Sequence, residues 1–410
     1  MASWNEAPEN TLEGARRLLR TTFSPTTPIQ RQEVFAGRRD QFEAVRDAVE
    51  QVGQHAVIYG DRGVGKTSLA MVSQEIARIE GYFTSLITCD STVDFTQVWK
   101  QAFREILVTN PDGTEGDASY LLGEDTLRPD DVRLAFKLLS FNAPVVVFLD
   151  EYDTIAQTES GVLFANLVKI LSDHGMDVTV VFVGVAEDVN RLIADHASVQ
   201  RVLAEVAMPR MAPEERSDIV RRGLEGAGMS ADDEVYERIS LLSQGMPAIV
   251  HRLGQQSAFE ALDRGSHHVT AADVHSAINV VVSKNMESVS TTYDHAVFST
   301  RSDTLFSVVA LACACVTTDE KGFFTSGALR RPLKKITGTS YEIPAYSAHL
   351  NDFSTKRGPL LEKVGGTRAY RYRFLNPLFK PYIALRALKE NMITHEMLTN
   401  LLSGDMADDS

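Results

Sequence analysis

The chain has 410 residues, more than one ordinary core can use, so two or three domains are expected. Its apolar share of 44% and charged share of 23% are those of a globular protein, and no apolar run reaches the about 18 residues a membrane span needs. A net charge of −14 argues against a protein coated in nucleic acid. Met1-Ala2-Ser3-Trp4-Asn5-Glu6 has neither the basic start nor the apolar core of a secretory signal. Cys89, Cys313 and Cys315 make no CxxC pair and no disulfide framework, so the expected setting is reduced and cytoplasmic.

Residues 1–30 are polar and end in the breaker cluster Ser24-Pro25-Thr26-Thr27-Pro28, with Leu12 to Leu19 spaced for a short amphipathic helix. Helical spacing follows at Phe42, Val45, Val49 and Val52. From residue 55, strands and helices alternate. Strands are expected at Ala56–Tyr59, Tyr82–Thr88, Val145–Leu149, Val178–Val183 and Glu205–Met208, and helices at 66–80, 94–107, 129–141 and 161–174. The strand runs are continuously apolar more often than alternating, as strands covered on both faces should be, and the rhythm is that of a parallel sheet with right-handed crossovers. The polar stretch 108–128 reads as an inserted loop. After residue 212 the pattern is helical to about Val281, with breaks at Gly226/Gly228 and Gly245 and an N-cap at Thr270. A connector helix over 285–299 follows. Gly404 to Ser410 are expected to be disordered.

Two motifs carry chemistry. Gly60-Asp61-Arg62-Gly63-Val64-Gly65-Lys66-Thr67, with Ser68 behind it, fits GxxxxGK[ST] between a strand and a helix. Its glycines let backbone N–H groups curl around phosphate oxygens at a helix N-terminus whose dipole favours anions. Lys66 would reach the β- and γ-phosphates of ATP, and the Thr67 hydroxyl would hold Mg²⁺. Val145-Val146-Val147-Phe148-Leu149-Asp150-Glu151 is a buried strand that presents two acids at its carboxyl edge, where open α/β sheets bind ligands. Asp150 would hold Mg²⁺ through water, and Glu151 is the natural general base for the attacking water. Asp153 reads as a helix cap or surface acid.

Phe35-Ala36-Gly37-Arg38-Arg39-Asp40, ahead of this loop, resembles the "F-x-G-R-x-x-E" box of AAA+ and STAND-type ATPases, with Gln41 where the box has Glu. Gly245-Met246-Pro247 is similar to the G-x-P turn in the helical lid of initiator-type AAA+ ATPases, including origin-recognition-like proteins, and of STAND switches. The likeness covers about residues 31–280. It implies a P-loop AAA+ parallel α/β sheet of strand order 5-1-4-3-2 with an α-helical lid, Phe35 and Pro247 beside the nucleotide, and an ATP-dependent homo-oligomer. The chain departs from it in two places. The fourth strand, Val181-Phe182-Val183-Gly184-Val185, ends without the family's polar sensor, and Ala248 stands where many such lids have Arg, with Arg252 one turn later. In that family an arginine finger precedes the fifth strand. Arg201 is the candidate, acting on a neighbour's γ-phosphate, or else a surface arginine paired with Glu205. His196 reads as a helix-end histidine.

Residues 302–388 read as helices at Thr304–Val316, Thr325–Ile336 and Pro344–Phe353. A hairpin of Leu360–Val364 with Tyr370–Phe374 and a last helix near Pro381–Lys389 complete them. The order resembles a winged helix. Segment 321–390 holds fourteen Lys and Arg against four acids, a net +10, which leaves −24 for the rest. Arg368, Arg371 and Arg373 with Tyr370 and Tyr372 would suit a wing on duplex DNA, and Lys356-Arg357 the helix exit, while the third helix lacks Lys and Arg. A protein-docking role is the alternative. The expected division is an extension (1–30), a nucleotide-binding domain (31–212), lid and connector (213–300), winged helix (301–390) and tail (391–410). The expected function is an ATP-hydrolysing AAA+ switch or remodeller acting on DNA. The rival is a STAND-like signalling or defence switch that gates a protein partner.

Overall fold

The five apolar runs become five strands: β1 (His55–Gly60), β2 (Phe83–Thr88), β3 (Val145–Asp150), β4 (Val178–Val185) and β5 (Leu203–Ala207). They form one sheet in the order β5-β1-β4-β3-β2, with parallel pairing throughout, as the resemblance implied. This computed structural model describes residues 12–25, 38–109, 115–156, 158–185, 197–284, 286–299, 305–319, 322–366 and 369–402. Residues 26–210 make one compact unit, and residues 1–25 with 211–410 make a second.

Helices are numbered from the N-terminus: α1 (Leu12–Thr22), α2 (Arg39–Glu50), α3 (Lys66–Ile79), α4 (Phe95–Glu105), α5 (Pro129–Leu139), α6 (Glu159–Asp173) and α7 (Ala197–Gln200). In the first unit, alternate residues of β3 face opposite cores. Val145, Val147 and Leu149 pack with Trp99, Phe136 and Phe164, while Val146 and Phe148 pack with Val45, Val64 and Leu69. A strand buried on both sides has no polar face, which is why its sequence is an unbroken apolar run.

Stretch 108–128 departs from the expected loop. Leu107–Thr109 pairs antiparallel with Glu115–Asp117, and a single 3-10 turn follows at Ala118–Leu121. The Asp117 carboxylate accepts the Ser119 N–H at 2.9 Å, and the Thr96 hydroxyl accepts the Leu127 N–H at 3.0 Å. The polar residues that suggested a loop are partly caps for this structure, and Ala118 and Leu127 join the core beneath it.

The second unit contains α8 (Pro213–Glu225), α9 (Asp233–Ser243), α10 (Pro247–Asp263), α11 (Ala271–Lys284) and α12 (Glu287–Val297). Between α9 and α10 the chain turns through Gln244 (φ 47°) and Gly245 (φ 84°), and Pro247 opens α10, where its missing N–H costs nothing. At the start of α11 the Asp273 carboxylate accepts both the N–H and the hydroxyl of Thr270. Helix α1 belongs to this unit. Phe23 is buried, and a Cβ built on Gly223 of α8 or Gly254 of α10 would come within 2.3 or 2.7 Å of its ring. The Gln255 amide donates to Leu19 O at 3.1 Å, and Arg16 pairs with Asp263.

The remaining elements are α13 (Phe306–Cys315), β6 (Phe324–Thr325), α14 (Arg330–Thr337), α15 (Ile343–Ser354), β7 (Leu361–Val364), β8 (Arg371–Phe374), α16 (Phe379–Lys389) and α17 (His395–Leu402). β8 pairs antiparallel with β7 on one side and β6 on the other. Helix, strand, two helices and two strands in that order make a winged-helix topology. Part of the expected tail is α17, whose Leu398 and Leu401 are buried; residues 403–410 lie outside the described ones. All three cysteines are free and buried. Burial pushes the Cys89 and Cys315 thiols up to about 12, which suits packing and not chemistry.

Candidate nucleotide site

The phosphate loop leaves the carboxyl end of β1, between β5 and β4. Gly60 has φ 149°, and a Cβ there would sit 2.5 Å from Met208 O. Gly65 has φ 98° and forms the N-cap of α3 without any side-chain cap. A helix start leaves its first N–H groups without intrahelical partners, so those of Lys66 and Thr67 are oriented for an anion. Val64 is fully buried under α2 and pins the loop, while Arg62 and Gly63 at its tip are exposed.

Lys66 is 8% exposed, and its ammonium donates to Gly60 O at 3.0 Å and Asp61 O at 2.8 Å. Burial pulls its pKa down to about 8; the carboxylates of Asp153, Asp150 and Asp61 oppose that without overcoming it. A half-compensated buried cation at an uncapped helix start fits the phosphates of a nucleotide. This donor set also suits Mg²⁺, which takes oxygen ligands: the Thr67 hydroxyl at the start of α3 and the Asp150 carboxylate at the end of β3.

Asp150 is 5% exposed, and its Oδ1 accepts the N–H of Glu151 at 2.9 Å. The Cys89 N–H donates to the Asp150 carbonyl at 2.7 Å and extends the sheet pairing beyond β2. Glu151 has φ 53°, in the left-handed region, and its side chain is exposed. The 3-10 turn Tyr152–Thr154 follows. Asp153 lies in that turn and is not a helix cap: its carboxylate accepts the N–H of Val185 at 2.8 Å.

Arg201 follows α7, ahead of β5, and therefore lies at the amino edge of the sheet, opposite the phosphate loop. It is exposed and pairs with Asp173 at 3.4 Å, not with Glu205. Within one chain it cannot reach the loop. Phe35, His196 and Arg368 fall outside the described residues. Pro247 is the first residue of α10, in the second unit.

Two arginines near the loop escaped the sequence reading. Arg38 is buried with φ 63°, and its guanidinium donates to Val64 O at 3.4 Å and to Pro209 O, joining the start of α2 to the loop and to the chain leaving β5. Its only signal was its place in the Phe35–Asp40 box. Arg210 pairs with Asp61 at 3.5 Å, and nothing local in the sequence announces it.

Comparison with known proteins agrees with this geometry. Residues 34–183 match the family described as the AAA ATPase domain. No curated protein matches the chain. Among solved structures, a Walker-type ATPase of Pyrococcus abyssi is similar at 15% identity and a TM-score of 0.52, covering 90% of this chain and 99% of that one. The ORC2 protein of Aeropyrum pernix, in ADPNP–ADP complexes, is similar at 15% identity and a TM-score of 0.51, covering 95% and 99%. Residues 34–183 thus carry an AAA ATPase domain. No described helix is long and apolar enough to cross a membrane.

Proposed function

We propose that the chain is an ATP-dependent switch or remodeller of the initiator type, with ATP and Mg²⁺ at the phosphate loop and duplex DNA at its winged helix. The observation that carries the nucleotide half is the buried Lys66 ammonium, held on the loop beside the acids of β3. Gly60, Asp61, Arg62, Gly63, Val64 and Gly65 wrap the phosphates, with Ser68 one residue inside the helix. Lys66 neutralises the β- and γ-phosphates, Thr67 and Asp150 take the metal, and Glu151 polarises the attacking water. Mg²⁺, when bound, supplies charge neutralisation at the phosphates. The Aeropyrum relative was solved with nucleotides, which supports the same ligand class here. Phe35 and Pro247 belong to the nucleotide contacts of this reading. Arg201 completes the site of a neighbouring copy in an ATP-dependent homo-oligomer; its exposure at the far edge of the sheet suits that role.

The DNA half rests on the +10 segment at 321–390 and the winged-helix topology. Helix α14 carries Arg330, Arg331 and Lys334 exposed, with no acid along its length. A specific observation favours the rival, a STAND-like switch gating a protein partner. Arg371 pairs with Asp319 at 3.3 Å, Arg373 pairs with Glu362, and both lie over the Phe323 ring. Arg357 packs on Phe306 and donates to Ala296 O at 3.2 Å. DNA would compete with these internal partners.

The test is ATPase rate with and without duplex DNA, together with duplex anisotropy at several salt concentrations. About four phosphate contacts give a log K against log salt slope near −3.6, and changing Arg368, Arg371 and Arg373 to Ala flattens it. Absence of binding at low salt removes the DNA reading and leaves the protein-gating one.

A further inference from the structure

The turn that carries Glu151 is held in a conformation that residues with a Cβ disfavour. Two kinds of contact hold it: ring packing, which already reaches β4 at Phe182, and hydrogen bonds within the turn. The Tyr152 ring is buried 4.5 Å from Phe182 and 5.5 Å from Phe164, and the Thr154 hydroxyl and N–H donate to Glu151 O at 2.8 and 3.0 Å. A third contact, a polar one, also reaches β4. Oδ1 of Asp153 accepts the N–H of Val185, the last residue of β4. Val185 stands in register with Gly60, the first glycine of the phosphate loop, whose carbonyl receives the Lys66 ammonium. Beside the packing of Tyr152 on Phe182, the polar tie between the Glu151 turn and the end of β4 next to the loop is one carboxylate. Neither Gly184 nor Val185 brings a polar side chain to this end of β4, so the polar contact there is supplied from the turn after β3.

We propose that Asp153 is a positioning residue for ATP hydrolysis: by accepting the Val185 N–H, its carboxylate locks the Glu151 turn against the end of β4 beside the phosphate loop. The inference rests on the reading of Glu151 as the base. The same carboxylate has a separable second effect. Its charge acts on Lys66 ahead of those of Asp150 and Asp61, and it opposes an incoming triphosphate. Hydrogen-bond acceptance serves turnover, while charge acts on Lys66, so the two isosteric forms of the side chain pull them apart. Asn keeps an acceptor oxygen and loses the charge; Ala loses both.

The experiment compares Asp153→Asn, Asp153→Ala and Glu151→Gln in the full chain, using kcat, fluorescent-nucleotide affinity and hydrogen exchange of the Val185 amide without nucleotide. Asp153→Asn should keep kcat within about threefold, whereas Asp153→Ala should lose roughly 10- to 100-fold, the scale of a misplaced catalytic group. Both variants should still bind nucleotide at about pH 7, which also shows that they are folded. The Val185 amide should stay protected in Asp153→Asn and exchange faster in Asp153→Ala. Undiminished kcat in Asp153→Ala overturns the proposal. So does an Asp153→Asn variant as slow as Asp153→Ala, which would make the carboxylate a base or a charge and not an anchor. A normal rate in Glu151→Gln instead sinks the assignment of the base, and the split between Asp153→Asn and Asp153→Ala still decides whether the anchor matters.

Discussion

The affinity of the site for nucleotide should fall as pH rises through 8, while the stability of the nucleotide-free chain rises. Burial brings the Lys66 pKa from its ordinary 10.5 to about 8. Bound phosphates restore the charge, so above pH 8 binding must take up a proton. Between pH 7.5 and 9.5 the charged fraction of free Lys66 drops about 25-fold, and the observed affinity should drop with it, a change of roughly 1.9 kcal/mol. Stability has the opposite sign. A lysine whose folded pKa lies below its unfolded one leaves the unfolded chain holding more protons from about pH 8 to 10.5, so unfolding becomes harder across that window. The full effect is on the order of 3 kcal/mol, reached near the upper limit. The assay is fluorescent-nucleotide titration without Mg²⁺ across this range, with thermal unfolding alongside. Lys66→Arg stays charged throughout, so its affinity should be flat above pH 7.5 whatever its absolute value, and Lys66→Ala should abolish binding. Flat affinity in the parent chain would show that Lys66 keeps its charge in the free site and would refute the argument from burial.

Glu151→Gln should retain nucleotide binding and lose turnover by at least about a hundredfold, read as steady-state phosphate release. Arg201→Ala should bind ATP without hydrolysing it, and mixing it with Lys66→Ala subunits should restore part of the rate; no recovery in mixtures argues against a shared site. Phe23→Ala removes a buried ring from between Gly223 and Gly254 and should cost about 3–5 kcal/mol in denaturant unfolding of the second unit. Gly223→Ala should hurt the parent chain, where its Cβ meets that ring, and do less harm in the Phe23→Ala background; equal costs in both would remove the wedge.

Much of the nucleotide half was legible in the sequence because local rules dictate it. A doubly covered strand must be an apolar run, a phosphate loop must place glycines where φ is positive, and acids presented to a ligand must follow the strand that ends at it. Hence β1 to β5, Lys66, Asp150 and Glu151 stand where their patterns put them, and the strand order follows the resemblance. The wing hairpin was legible for the same reason, with Leu361 opposite Phe374 and Val364 opposite Arg371.

Contacts between residues far apart in the chain were not legible, because neither partner carries a mark of the other. Asp153 has the sequence context of a cap or a surface acid, and only the approach of β4 turns it into a cross-strand acceptor. Helical spacing offers Glu205 as the partner of a surface Arg201, but α7 ends at Gln200, and the folded neighbour of Arg201 is Asp173. The wing arginines looked like phosphate contacts by charge alone, and Asp319 and Glu362 claim two of them. Helix α1 looked like an extension because its own turns hold too few apolar residues for a core; α8 and α10 supply the rest, with two glycines leaving room for Phe23. Spacing along the chain thus determined the strands of the sheet and where the glycines, Lys66 and the two acids fall on them. The tertiary structure decided which charges are already neutralised and which are presented, since a side chain's partner depends on distance in space and leaves no trace in local pattern.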